Sequence, residues 1–266
     1  MPELPLITDR SDPAIQRLID LTRPARGTVR SVVVEDEEPL AQALAAGVEF
    51  AEVYGLEATG VPEAIRAAAS AAGVPVRLLG TTVANQVFKT EKKPKVLGVA
   101  TVPAPARFRD LRETGGDVVL LDGVRIVGNI GAIVRTAFAL GAGGLVLIDS
   151  GLTTIADRRL IRASRGYVFS LPVVLATREQ ATGFLGESAL RLVSFDAGGG
   201  LDVADLAGYD ERLALLLGGE KAGSSNDLLR FARETASIRM DPRAESLNVS
   251  VAAGIALHAR SGRNLG

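Results

Sequence analysis

Short runs of β-branched and aliphatic residues alternate with Ala-rich stretches of helical spacing along the whole chain. That alternation predicts an α/β protein with mostly parallel sheets. In the first third, Ser11 or Asp12 before Pro13 marks a helix start, and the run to Leu21 carries apolar residues at helical spacing. Strands are predicted at 29–34, 48–54, 74–79 and 96–101. Helices are predicted at 38–46, closing on Gly47, at 62–72, closing on Gly73, and at 81–88. These form a complete small α/β unit. Pro103-Ala-Pro105-Ala-Arg-Phe-Arg109 then reads as a stiff, basic connector. The expected division is therefore a first domain at 1–102, a linker at 103–110 and a second domain at 111–266.

Beyond the connector, near-continuous apolar strands are predicted at 118–121, 145–148, 168–175, 190–195 and 213–217. Strands apolar on both faces belong in a sheet covered by helices on each side. The intervening helices fall at 129–140, 156–163, 178–185 and 228–234, and a last helix at 248–258 closes the chain.

Composition narrows the chemistry. The 266 residues contain no cysteine and one histidine, His258, which excludes disulfide scaffolds, thiol nucleophiles, iron–sulfur clusters and His-rich metal sites. Neither the start of the chain nor its longest uncharged stretches suggest a secretory signal or a membrane span, so a cytoplasmic location is expected. A net charge of −1 gives no global attraction to a polyanion. Binding to nucleic acid would rest on two local clusters, one of Lys89, Lys92, Lys93 and Lys95, the other of Arg158, Arg159, Arg162 and Arg165.

Three segments of the second domain combine glycine, a lone polar or charged residue and strand-to-helix context, as sites at strand C-termini do. In the first, running from Asp122 to Thr136, Asn129 is placed to cap a helix whose stripe is Ile130, Ile133, Val134, Ala137 and Phe138, with Arg135 as its only charge. The second, Leu217-Gly-Gly-Glu220-Lys-Ala-Gly223, is a glycine turn after an apolar strand. The third, Glu245-Ser-Leu-Asn-Val-Ser250, enters an Ala/Gly helix. Each also has a plainer reading, as a surface arginine, an unliganded turn or a pair of helix caps. No strand-following G-x-G-x-x-G and no Walker A lysine is present, which disfavours nicotinamide and nucleotide-hydrolysing folds.

Taken in order, these segments resemble the signature motifs of the SpoU branch of the SPOUT RNA methyltransferases. The matching residues are Asn129, Gly131 and Arg135, then Gly218 to Gly223, then Ser246 to Ser250. Nearly the full length resembles the thiostrepton/nosiheptide resistance methyltransferases, which modify the ribose 2′-oxygen of adenosine 1067 in 23S rRNA. The resemblance implies an L30e-like RNA-binding domain followed by a trefoil-knotted SPOUT domain, S-adenosylmethionine as donor, and a homodimer whose active site spans two copies. It implies as partner the GTPase-associated region of 23S rRNA, with no metal and no membrane.

By the same resemblance, Arg135, Asn129, Glu220, Ser246 and Asn248 are the expected catalytic residues. Phe195, Gly218, Ile238, Leu247 and Asn248 are the expected donor-binding positions. One departure is Ser-Ile-Arg239-Met, where relatives often carry Ile-Pro-Met. Family accounts make Arg135 a base, but a guanidinium with a pKa above ~12 rarely surrenders a proton, so a charge-stabilising role is expected instead. Arg26, Phe88, Lys89, Lys92, Lys93, Arg162 and Arg165 are the expected RNA contacts. His258 is given no role. The alternatives are a SpoU enzyme acting on tRNA or another rRNA nucleotide, and an idle RNA-binding protein that has kept the fold.

Overall fold

A computed structural model describes residues 3–22, 30–89, 93–219 and 223–266. The chain divides into two compact units, one of residues 1–104 with 156–170, the other of residues 105–155 with 171–266.

The first unit contains β1 (Leu6–Ile7), α1 (Pro13–Thr22), β2 (Ser31–Glu35), α2 (Glu37–Ala45), β3 (Phe50–Leu56), α3 (Glu63–Ala71), β4 (Val76–Leu79), α4 (Thr81–Val87) and β5 (Val96–Thr101). Its sheet is mixed, in the order β1-β4-β3-β5-β2, with β5 antiparallel to both neighbours. Ile15 and Leu18 of α1, Val83 and Val87 of α4, and Leu97 and Val99 of β5 share one core.

The second unit opens with α5 (Phe108–Arg112), so part of the expected connector is helical, followed by β6 (Val118–Asp122), α6 (Val127–Ala139) and β7 (Gly144–Ile148). The chain then contributes α7 (Arg158–Ala163) to the first unit. It returns for β8 (Val173–Ala176), α8 (Arg178–Glu187), β9 (Arg191–Phe195), β10 (Leu201–Asp202), β11 (Leu213–Gly218), α9 (Asn226–Leu229), β12 (Ala232–Ser237) and α10 (Val249–Asn264). The sheet runs β10-β12-β9-β11-β6-β7-β8 and every pairing is parallel. β6 and β7 are buried from end to end, as strands covered on both faces must be.

Four expectations need correction. The predicted strand at 168–175 begins only at Val173, because Gly166 turns left-handed at φ 84° and Tyr167–Phe169 forms a 3-10 turn ahead of Pro172. The predicted helix at 228–234 stops at Leu229, and Ala232–Ser237 is instead a strand between β9 and β10. Asn129 is not the cap of α6: the helix starts at Val127, which puts Asn129 in its first turn. Phe138 falls outside the buried stripe and is 41% exposed.

The last helix is tied into the sheet by a buried ion pair. Arg260, fully buried, donates to both carboxylate oxygens of Asp117 at 2.7 and 3.2 Å and to the carbonyls of Leu206 and Glu211 at 2.6 and 2.7 Å. Asp117 in turn accepts from the Leu213 amide at 2.8 Å, so α10, the start of β6 and the start of β11 meet at one polar knot of bonds. Among the described residues, no helix is long and apolar enough to cross a membrane, and no cluster of His, Cys, Asp or Glu could hold a metal ion.

Candidate active site

Because all seven strands of the second unit run the same way, the loops that follow them emerge at one edge of the sheet. The chain leaves β6 for β7 on one side and later returns to place β11 on the other. Open α/β sheets bind ligands at such a switch point.

A cavity of about 310 Å³ opens at this edge. Its walls come from Phe195 and Asp196 after β9, Gly218, Gly219 and Gly223 after β11, and Ile238 and Met240 after β12. Glu245, Ser246, Leu247 and the start of α10 close it. Phe195, Gly218, Ile238 and Leu247, four separated positions picked out in the sequence, therefore line one space. The glycine turn is closed on itself by Gly223 N–H donating to the Gly219 carbonyl at 2.9 Å. A Cβ on Gly218 would fall 2.1 Å from the Gly223 carbonyl carbon and 2.3 Å from the Ser224 nitrogen, so the two limbs approach as only glycine allows.

The third segment enters α10 through Asn248, whose Oδ1 accepts from the Ser250 amide at 2.8 Å and caps the helix. Its Nδ2 donates to Oδ1 of Asn129 at 3.3 Å. The first and third sequence segments are thus joined, and α6 packs along α10 with Gly254 beside Thr136. Arg135 lies further along α6, half-buried and outside the cavity lining, and makes no ion pair or hydrogen bond among the described residues. Glu220 lies outside the described residues.

The loop after β12 is braced by its own charges. Arg243 donates to both carboxylate oxygens of Asp241, at 2.9 and 2.8 Å, and holds that carboxyl down at about 2. Arg239, the residue that departs from the motif, pairs with Asp202 at 3.3 Å.

The expected RNA contacts are more dispersed. Phe88 is 6% exposed and belongs to the first unit's core, so its ring is committed to packing rather than offered to a base. Lys89 is exposed, and the Lys93 ammonium donates to Asn85. Arg26 and Lys92 lie outside the described residues. The arginine helix is not a bare cationic face. Arg158 and Arg162 each grip one oxygen of the buried Glu35 at 2.6 Å, and Arg165 pairs with Glu38 at 2.8 Å. No local pattern announces these partners, which lie more than a hundred residues away in sequence.

Sequence reasoning assigns no role to Asp122, which opens the first segment, or to Arg178 and Asp149, and these three form a polar cluster at the same edge of the sheet. The available signal was a lone carboxylate ending the apolar run Val-Val-Leu-Leu.

Residues 4–114 match the family described as thiostrepton-resistance methylase, N terminus, and residues 117–258 match the SpoU rRNA methylase family. A 23S rRNA (adenosine(1067)-2′-O)-methyltransferase of Streptomyces laurentii is 61% identical over all of this chain and 98% of its own length. An enzyme of the same description from Streptomyces azureus is 52% identical over the same shares. Among solved structures, an AdoMet-bound rRNA methyltransferase from Sinorhizobium meliloti is 28% identical and superposes with a TM-score of 0.78 over 97% of this chain and 98% of its own.

Proposed function

The chain belongs to the SpoU rRNA methylase family, and on that footing we propose that it transfers a methyl group from S-adenosylmethionine to the ribose 2′-oxygen of adenosine 1067 in 23S rRNA. Methylation there would block thiopeptide antibiotics of the thiostrepton and nosiheptide type, in keeping with the family matched by the N-terminal residues. The observation that carries the reading is the meeting of the second and third segments at one cavity, with Asn129 of the first bonded to Asn248 beside it.

The cavity suits the donor. Leu217, Ile238, Leu247 and Val249 offer apolar walls to a purine, and the carboxylates of Asp196 and Glu245 match the positive charge of a sulfonium and an ammonium group. When bound, S-adenosylmethionine supplies an electrophilic methyl group on sulfur. The protein's part is then to align the ribose oxygen and to favour loss of its proton. Arg135, free of partners among the described residues, holds the target phosphate and stabilises negative charge growing on the 2′-oxygen. Asn129, Ser246 and Asn248 orient the ribose and the loops, and Glu220 joins them through the second segment.

The domain division follows the same logic. Residues 1–102, with 156–170 packed into the same unit, form an L30e-like unit that recognises the GTPase-associated region through Lys89, Lys93 and phosphate contacts, and the rest of residues 111–266 form a knotted catalytic unit. Arg162 and Arg165 reach RNA only in competition with Glu35 and Glu38. A second copy of the chain covers the exposed Ile126, Phe138 and Val251 beside the packed α6 and α10, giving a homodimer whose sites are completed across the interface. The enzyme works in the cytoplasm, where its ribosomal substrate resides.

Labelled methyl transfer to a 23S rRNA transcript, with mapping of the modified nucleotide, tests the assignment. A single 2′-O-methyladenosine at 1067 is expected. Modification of another nucleotide, or of a tRNA transcript in preference, would overturn the target.

A further inference from the structure

Asp122 ends β6 with its side chain 1% exposed, and it holds the glycine turn at two points. Its main-chain carbonyl accepts from the Gly219 amide at 2.9 Å, before the turn. Its carboxylate Oδ2 accepts from the Ser225 amide at 2.7 Å, after the turn. The other carboxylate oxygen accepts from Arg178 Nε at 3.0 Å, and Arg178 also pairs with Asp149, at the end of β7, at 3.2 Å. Arg178 is the first residue of a helix fixed by the reciprocal Thr177–Gln180 capping box, so this anchor is itself held. Among the described residues, the buried hydroxyls of Ser224 and Ser225 have no hydrogen-bond partner. The bond to Asp122 is, among the described residues, the one a side chain supplies on this limb of the turn.

We propose that Asp122 is a positioning residue for the donor: its carboxylate clamps the limb of the glycine turn that forms one wall of the cavity and follows Glu220 in the chain. This rests on the reading of the cavity as the donor site. The described ends of the turn are held close together. Gly218 and Gly223 are in backbone contact, and Gly219 and Gly223 are already bonded to each other. Release of the Ser225 amide therefore loosens Gly223, which lines the cavity. Arg178 plays a lesser part, because it meets the carboxylate from the half-exposed side and leaves the Ser225 bond intact.

Two substitutions break the same bond from opposite ends. Asp122→Asn keeps the shape but turns one acceptor into a donor facing either Ser225 N–H or Arg178. Ser225→Pro removes the amide proton together with a hydroxyl that makes no hydrogen bond among the described residues, and the native φ of −71° already suits proline. Binding of S-adenosylmethionine is measured by calorimetry, and exchange of the Gly219 and Gly223 amides is measured without donor. Loss of a charge-assisted hydrogen bond predicts a rise of about 10-fold or more in the donor dissociation constant for each variant. The Asp122→Asn/Ser225→Pro double variant is no worse than the worse single one, because both remove one interaction. RNA affinity stays within about twofold and the two amides exchange faster. Arg178→Ala changes donor affinity by less than about threefold.

Folded Asp122→Asn and Ser225→Pro proteins that bind donor as the parent does, with unchanged amide exchange, would overturn the proposal and leave Asp122 a merely structural carboxylate. If the parent itself binds no donor, the reading of the cavity fails instead. The exchange of the two amides still decides whether the clamp exists.

Discussion

Replacing Gly218 by alanine adds a single methyl group where the structure has no room for it. The new carbon would sit 2.1 Å from the Gly223 carbonyl carbon, 2.3 Å from the Ser224 nitrogen and 2.4 Å from the Gly223 oxygen. All three are backbone atoms, so no side chain can swing aside. Ordinary contact requires the two limbs to part by about 1 Å, against bonds from Gly223 to Gly219 and from Ser225 to Asp122. Overpacking of this kind costs about 1–3 kcal/mol and a broken hydrogen bond about 1 kcal/mol more. Falling on the donor-bound state, that is roughly 30- to 1,000-fold in the dissociation constant. Calorimetry with S-adenosylmethionine, paired with single-turnover methyl transfer at saturating donor, reads the two consequences separately. A Gly218→Ala protein that binds donor within twofold of the parent would show that the turn opens freely. The account of the cavity wall would then be wrong.

Arg135→Ala is expected to lower the turnover number by at least about 100-fold while leaving donor affinity within twofold, measured by steady-state kinetics and calorimetry, because the guanidinium acts on the RNA side of the reaction. Arg260→Met strands the buried Asp117 carboxylate, which costs about 3–5 kcal/mol and lowers the thermal midpoint by about 10 °C in a calorimetric scan. On acidification, hydrogen bonds from Arg191 hold the Glu234 carboxyl below its usual range, so the folded pKa is the depressed one. Its contribution to stability is complete above the unfolded pKa of about 4.5 and is lost as pH falls through the folded value. Glu234→Gln should therefore be less stable than the parent at pH 6 and lose less between pH 5 and 3 in denaturant titrations. Parallel pH profiles would contradict the pairing.

The outline of the second unit could be read from its sequence because β6, β7 and β11 are apolar on both faces and punctuated by glycine. β12 could not, because Ala-Arg-Glu-Thr-Ala-Ser has no such run and becomes a strand only by pairing with β9 and β10. The positions that line the cavity were visible as glycine and serine–asparagine segments, since tight turns and helix caps demand those residues locally. What stayed hidden was decided by distant partners. Glu35 neutralises an arginine face that looks fully cationic in sequence, and the first unit's core claims Phe88. Asp122 gains its place from main-chain geometry around Gly219 and Ser225, which residue identity does not encode.

The proposed methyl acceptor is one oxygen atom. A 23S rRNA fragment spanning the GTPase-associated region is prepared with a ribose or a 2′-deoxyribose at adenosine 1067 and incubated with enzyme and radiolabelled S-adenosylmethionine. The account predicts one methyl group per RNA for the hydroxyl-bearing fragment and none for its deoxy counterpart. Equal labelling of both fragments, or of neither, would contradict it.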